Sequence, residues 1–455
     1  MQATHSIRPR LAFTLVMAMS IACSLCLTAG LRADQEPSQA DVVSDQAFLA
    51  WVKDTAIHLD DWKLNSELEA YLDQVTQGKR IIYIGEPGHF FHEKYEVQLM
   101  LIRHLAKKGY RHICIEGLGA SRAPVWDTYV REGKNAFDDE LSEEIESKVQ
   151  NFKKQVTNVM VGANAADFKQ RQAGEERRFY DALHEVSRSL DDPDQPLRIL
   201  PFDIDTMSSG GCYFSIANLL EPFGEDPAFE AVRGLAMKLE GETPDDEIER
   251  LEELREYVVQ DPDGVLDAMT AQERSALDRH TDCLLETKAF YHTSRADGNL
   301  VRALERREPA MFRQVNHALD ALPPDAKVIM LGHQNHLSKV GADISRARRP
   351  SMGEMIDDLY PGAVFSIWML HDHGWLLNPM NPEPLEELRS SPQRIESVMV
   401  EAGSTYLLPL GTDRRGEKYL DQKRSYSYFS WSETSTLTTQ TDALIFIDEI
   451  TPLQK

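Results

Sequence analysis

The segment "RIIYIGEPGHFFHEKYEVQLMLIRHLAKKGYRHICIEG", residues 80–117, limits the choice of fold more than any other part of the chain. Each end is a short run of apolar and β-branched residues without polar alternation, the pattern of a strand buried on both faces. Between them, apolar residues recur at helical spacing over 92–108, and Gly109 supplies a residue on which a helix can terminate. A strand–helix–strand unit of this kind sets neighbouring strands parallel and covers both faces of the sheet with helices. Further runs of the same character follow in "LRILPFDID", "KVIMLGH", "AVFSIWML", "STYLLPL" and "ALIFIDEI", with long helical patterns between them. The expected fold is α/β: a mainly parallel central sheet flanked by helices.

Two stretches break the alternation. Residues 134–195 are charged and helical around "GANAAD", and residues 215–320 form an acid-rich helical block containing "DDEIERLEELREYVVQ". Charge runs of this kind read as solvated helix faces laced by i,i+4 pairs. The expected organisation is an α/β core from 49–214 and 321–455, with 215–320 inserted as a helical cap. Residues 34–48 read as a polar leader. Arg8 and Arg10 precede an uncharged run from Leu11 to Gly30, the order of charges and apolar residues found in an export signal. Residues 1–33 are therefore expected to be a signal peptide, and the protein to be periplasmic or secreted; the alternative is an uncleaved membrane anchor.

A net charge of −25 argues against nucleic acid or an anionic membrane surface as partner, because phosphate recognition needs clustered Lys and Arg. Beyond the signal, the chain carries Cys114, Cys212 and Cys283, with no CxxC spacing. Cys114 lies within an apolar strand and reads as a packing residue. Spacing leaves the pairing of Cys212 with Cys283 open.

The ionisable residues fall in a pattern. Glu86 ends the first strand and His89 follows; Glu116 ends the second; Asp203 and Asp205 end "LRILPFDID". His333 and His336 follow "KVIML", and His371-Asp372-His373 follow "AVFSIWML". Ligands of parallel α/β sheets bind beyond the carboxyl ends of the strands. Taken singly, each residue has a bland reading: a strand-end Glu or His89 as a helix cap, His333 and His336 as a loop pair, the His-Asp-His in a turn, and His92, His104 and His112 on helix surfaces. Their coincidence along one rim favours a shared site.

That set offers acid/base chemistry, and the chain has no G-x-S-x-G elbow and no Walker or dinucleotide glycine pattern. A histidine beside a helix N-terminus is held toward the neutral imidazole that a general base requires. Glu86 would orient His89 and stabilise its imidazolium, while His333 or His336 would polarise an oxygen or protonate a leaving group. The same residues offer an alternative, a divalent metal with a bound water.

Gly85, Glu86 and His89 resemble the strand–Gly-Glu-x-x-His opening of the erythromycin esterase family, within the wider esterase, haem-uptake and Tiki-type superfamily. Glu93 and Glu96 match acidic positions on the helix that follows, Glu116 matches a strand-end Glu, and "VWDTYV" matches the element after it. "SRADGNLVRAL" resembles an Arg-Asp helix, placing Arg295 and Asp297, with one residue inserted between them. "LGHQNH" resembles Ala-His-Asn-x-His with Gly332 in place of alanine, and "DALIFIDEITPL" resembles the last strand. Pro87-Gly88 and Phe90 depart from the pattern around His89. The resemblance spans about 80–453. It implies hydrolysis of a small-molecule ester or lactone, with His89 acting on water, Glu86 supporting it, and Glu116, His333 and His336 completing the site. It also implies substrate contacts at Arg295 and Asp297, no cofactor, and no stable membrane span once the signal is removed. Alternatives within the superfamily are a metal-dependent Tiki-like hydrolase or peptidase holding its ion on Glu86, His89, Glu116 and His333, and a haem-uptake protein with exposed His and Tyr on iron.

Overall fold

The structure, a computed structural model, describes residues 39–454 apart from 134–164, 206–210, 296–299, 345–346, 378–384, 412–417, 429–430 and the single positions 225, 240 and 263. The expected signal peptide and Asp297 lie outside the described residues. Two compact units divide the chain after Gln46. The first, Met1–Gln46, is described only where helix α1 (Gln39–Thr55) begins, so residues expected as a polar leader are helical from Gln39.

The second unit holds a nine-stranded sheet, and the strand runs of the sequence build it. In chain order the strands of the described residues are β1 (Ile57–His58), β2 (Ile81–Glu86), β3 (Tyr110–Ile115), β4 (Arg198–Pro201), β5 (Lys327–His333), β6 (Ala342–Ile344), β7 (Ala347–Arg349), β8 (Val364–Leu377), β9 (Leu385–Leu388), β10 (Thr405–Pro409), β11 (Arg424–Tyr428), β12 (Trp431–Ser435) and β13 (Ala443–Ile450). The sheet order is β1-β10-β13-β8-β2-β5-β3-β4, with β9 on β8. From β13 to β4 every neighbouring pair is parallel, whereas β10, β1 and β9 join antiparallel. The fold is thus mixed α/β with a mostly parallel sheet, as expected. One detail differs. β2 and β3 are parallel but not adjacent, because β5 lies between them and pairs with both.

β2 shows why its sequence has no polar alternation: both faces are covered. Ile82 and Ile84 pack with Val97, Leu101 and Leu105 of helix α3 (Glu93–Lys107). Ile81 and Tyr83 pack on the other face with Met311 and Val315. The period-two geometry of a strand divides consecutive apolar residues between two cores. Helix α3 stops as expected, with Gly109 at φ 91°.

Further along, helices α4 (Ala123–Glu132), α5 (Ala165–Arg188), α6 (Gly211–Leu220), α7 (Glu230–Ala236), α8 (Pro244–Gln260), α9 (Ala271–Arg295), α10 (Leu300–Asp320) and α11 (Met352–Leu359) follow in order. Helices α6 to α9 share an apolar core of their own, including Ile216, Phe229, Leu251, Leu254 and Leu284. Helix α10 instead lays Met311, Val315 and Leu319 on the sheet, which carries its charged residues to the strand ends.

Three expectations are corrected. His371-Asp372-His373 does not sit in a turn: β8 runs through it, paired with β13 as far as Gly374 and beyond that with β9. His104 is not on a helix surface but is buried and paired with Asp73 of helix α2 (Ser66–Val75) at 2.8 Å, and His112, also expected on a helix surface, lies in β3.

Candidate active site

β2 and β5 end in register, with Glu86 opposite His333. Glu116 directly follows β3, and Asp203 stands two residues beyond β4. Four strand ends therefore deliver Glu86, Glu116, Asp203, His333 and His336 to one rim. Gly332 makes the closeness of these groups feasible. A Cβ there would lie 3.0 Å from both Cβ and Oε2 of Glu116 and 3.1 Å from Phe202. With glycine at this position, Glu116 Oε2 accepts the backbone N–H of His333 at 2.6 Å.

Glu86 is 3 % exposed and saturated with donors. Its Oε1 lies 2.7 Å from Nδ1 of His89 and accepts from Lys94 Nζ at 2.9 Å; its Oε2 accepts from Gln98 Nε2 at 3.0 Å. Lys94 and Gln98 are four apart on α3, so they share the helix face turned to β2. Burial opposes the charge of Glu86, but Lys94 and the His89 hydrogen bond outweigh it and hold its pKa below the usual carboxylate value.

An ionised carboxylate only accepts, so His89 donates through Nδ1 and its Nε2 carries the lone pair. That Nε2 stands 3.8 Å from Glu116 Oε1, and the side chain keeps 31 % exposure in the turn before α3. Among the site's ionisable side chains named here, His89 is the most open to solvent.

His336 is the opposite case. It lies between Glu308 Oε1 (2.5 Å, to Nδ1) and Glu116 Oε1 (3.2 Å, to Nε2). Burial pushes its pKa down, yet the two carboxylates raise it to about 10, so at neutral pH it is an imidazolium. Glu116 is held well below the usual range, against burial, by His336, His89 and Arg307. Arg307 donates to Glu116 at 3.1 Å and to both oxygens of Asp203 at 3.1 and 2.5 Å.

His333 is neutral, because burial, and then His89 beside it, depress its pKa well below the usual value. Its Nε2 donates to Pro87 O at 3.3 Å and its Nδ1 accepts from Asn335 N at 3.4 Å. Both ring nitrogens thus hold backbone, including the turn that carries His89. The ring of Tyr428 packs edge-on against it at 4.5 Å.

With their carboxylates ionised, Glu86, Glu116, Asp203 and Glu308 face three cations, Lys94, Arg307 and His336. Those seven groups together carry one net negative charge.

The structure brings Glu86, His89, Glu116, His333 and His336 together. Arg295 closes α9 without a described side chain, and Asp297 lies outside the described residues. Glu93 and Glu96 turn elsewhere, the first to Thr451 at 2.6 and 2.7 Å and the second toward His92 at 3.7 Å. Asp372 accepts from Ser390, and His371 packs on Phe91. Lys94, Gln98, Arg307, Glu308 and Tyr428 were not singled out from the sequence. The spacing of Lys94 and Gln98 on α3 was a readable signal. Arg307 and Glu308 had none, since "ERRE" in an amphipathic helix reads as a solvated face.

As a metal site, Glu86, His89, Glu116 and His333 fit poorly. Both oxygens of Glu86 and of Glu116 already accept from protein donors, and both nitrogens of His333 hold backbone. Among the described residues, three metal-type donors lie within 4.8 Å of one another at Asp205, Cys212 and Cys283 and at Asp372, His373 and Asp448.

The fold is shared with solved structures. A Bacillus cereus protein matches at TM-score 0.68 and 14 % identity, over 90 % of this chain and 99 % of its own. A succinoglycan biosynthesis protein matches at TM-score 0.65 and 11 % identity, over 90 % of this chain and 98 % of its own. A mutant of the erythromycin esterase EreC, in its open conformation, matches at TM-score 0.63 and 16 % identity, over 87 % and 97 %. No curated protein matches the sequence. The family model for erythromycin esterase matches residues 212–450, more than half of the chain. On that match the chain belongs to the erythromycin esterase family, membership that points to a hydrolase acting on a small molecule.

Proposed function

We propose that this hydrolase opens a carboxylic ester or lactone by attack of a water activated at His89. The supporting observation is the 2.7 Å contact between His89 Nδ1 and the buried, ionised Glu86, which puts the lone pair on Nε2 of a ring that is 31 % exposed. Water bound at Nε2 gives it a proton as its oxygen adds to the carbonyl carbon. The new imidazolium is stabilised by Glu86 on one side and Glu116 on the other, while the negative charge passes to the oxygen of the tetrahedral intermediate. When the tetrahedral intermediate collapses, His89 returns that proton to the departing alkoxide, which leaves a carboxylic acid and an alcohol. A general base of this kind contributes about 10²–10⁴ in rate.

In this reading His336 is a fixed cation rather than an acid or base. With Arg307 it keeps Glu116 ionised and in place, and His333 pins the Pro87–Gly88 turn. No step is routed through a metal. Helices α6 to α9 act as the cap that selects the substrate. The test is mass spectrometry of a panel of esters and lactones incubated with the protein, His89→Ala and Glu86→Gln. The reading expects a water-addition or cleavage product lost in the first variant and reduced in the second. A product formed equally well by His89→Ala would refute it.

A further inference from the structure

Close to this rim is a second group of reactive side chains, which the proposed reaction leaves unused. Asp205 follows β4, Cys212 opens α6 and Cys283 lies inside α9; all three are at most 1 % exposed. One ligand atom of each lies within 4.8 Å of the other two. Cys212 Sγ is 2.8 Å from Asp205 Oδ2, and Ser121 Oγ hydrogen-bonds the same oxygen. We propose that Asp205, Cys212 and Cys283 form a buried metal site, with Ser121 as a neighbouring oxygen donor, and that its donor set selects Zn²⁺.

Two observations support this. First, zinc bonds of about 2.3 Å to sulfur and 2.0–2.2 Å to oxygen put tetrahedral ligand atoms roughly 3.5–3.8 Å apart. The three atoms need only small movements to reach that spacing. Second, Asp205 Oδ1 is buried and has no hydrogen-bond partner. A buried carboxylate oxygen without a partner is costly, and buried charges are as a rule paired or bound to metal. A disulfide between Cys212 and Cys283 would leave that oxygen as it is, whereas an ion held by both carboxylate oxygens would satisfy it.

Binding displaces the two thiol protons to solvent, with no change of oxidation state. Such an ion would tie α6 and α9 to the loops after β3 and β4. It would also fix the segment carrying Asp203, two residues before Asp205, and through it Arg307. No proton or bond of the proposed hydrolysis passes through it.

The test uses the full chain, purified without added metal or chelator, its zinc measured by elemental mass spectrometry. Wild type and His89→Ala should each retain about one zinc per chain, the stoichiometry of a closed structural site. Cys283→Ser should retain at least tenfold less. If Cys283→Ser does not fold, the readout moves to wild type: Co²⁺ loading should give a thiolate-to-cobalt charge-transfer band, and denaturation with chelator should expose Cys212 and Cys283 together to alkylation. Folded wild type with less than about a tenth of an equivalent of zinc would overturn the proposal. So would an intact mass lower by two hydrogens with a cross-linked Cys212–Cys283 peptide, or zinc retained equally by Cys283→Ser.

Discussion

His89 and His336 occupy matching places, each three residues beyond the end of one of two strands that pair in register, yet the fold gives them opposite properties. His89 has the Glu86 carboxylate, already shared with Lys94, at Nδ1, Glu116 3.8 Å from Nε2, and a side chain that is 31 % exposed. His336 has a carboxylate at each nitrogen and is 8 % exposed. One is partly exposed to solvent; the other is held as a cation between two carboxylates. Both are histidines at the same distance from a strand end. Access and the number of neighbouring charges decide the roles.

The sharpest way to break this contrast is to remove each ring. His89→Ala should lower kcat/KM by about 10²–10⁴ and leave unfolding by urea almost unchanged, because the ring is partly solvated. His336→Ala should instead cost about 3–5 kcal/mol of stability by urea unfolding, since Glu308 and Glu116 lose a buried counter-charge. Equal effects of the two substitutions on stability would erase the distinction.

A second separation comes from pH. His336 has a folded-state pKa raised to about 10, so its contribution is complete below the ordinary histidine value. That contribution is lost as pH rises toward 10, with a slope of at most about 1.4 kcal/mol per pH unit for one proton. His336→Gln should flatten this alkaline decline. Glu86 works in the other direction: its pKa is depressed, so its contribution holds above the carboxylate range and is lost as pH falls through the folded-state value. Lys94→Met should move the acid limb of the kcat/KM profile to higher pH, because Glu86 loses its strongest favourable partner. An unmoved limb would remove Lys94 from the account. The smallest effect is expected from Gly332→Ala. Its Cβ would press on Glu116 at 3.0 Å, a tight contact that a slight shift relieves, at a cost of about 1 kcal/mol in thermal unfolding.

The sequence was most informative where the physics is local. Strand runs such as "IIYIGE" are apolar throughout because both faces are buried, and the rim residues Glu86, Glu116, His333 and His336 follow from where those runs stop. What escaped depends on long-range pairing. The insertion of β5 between β2 and β3 leaves no trace in either strand. Arg307 and Glu308 look like any solvated helix charges until α10 is laid on the sheet. His104 reads as a surface residue until Asp73, from a different helix, is placed beside it. The His-Asp-His segment misleads because strand-end reasoning assumes that an apolar run ends where polar residues begin, and β8 continues past that point to pair with β9.

One measurement bears most directly on the central claim: kcat/KM of wild type and His89→Ala, on a substrate drawn from the ester and lactone panel, with urea unfolding of both recorded alongside. The account predicts a loss of about 10²–10⁴ in activity with an unchanged unfolding midpoint. Activity within a few-fold of wild type in a folded His89→Ala protein would show that another group activates the water, and would contradict the assignment of the base to His89.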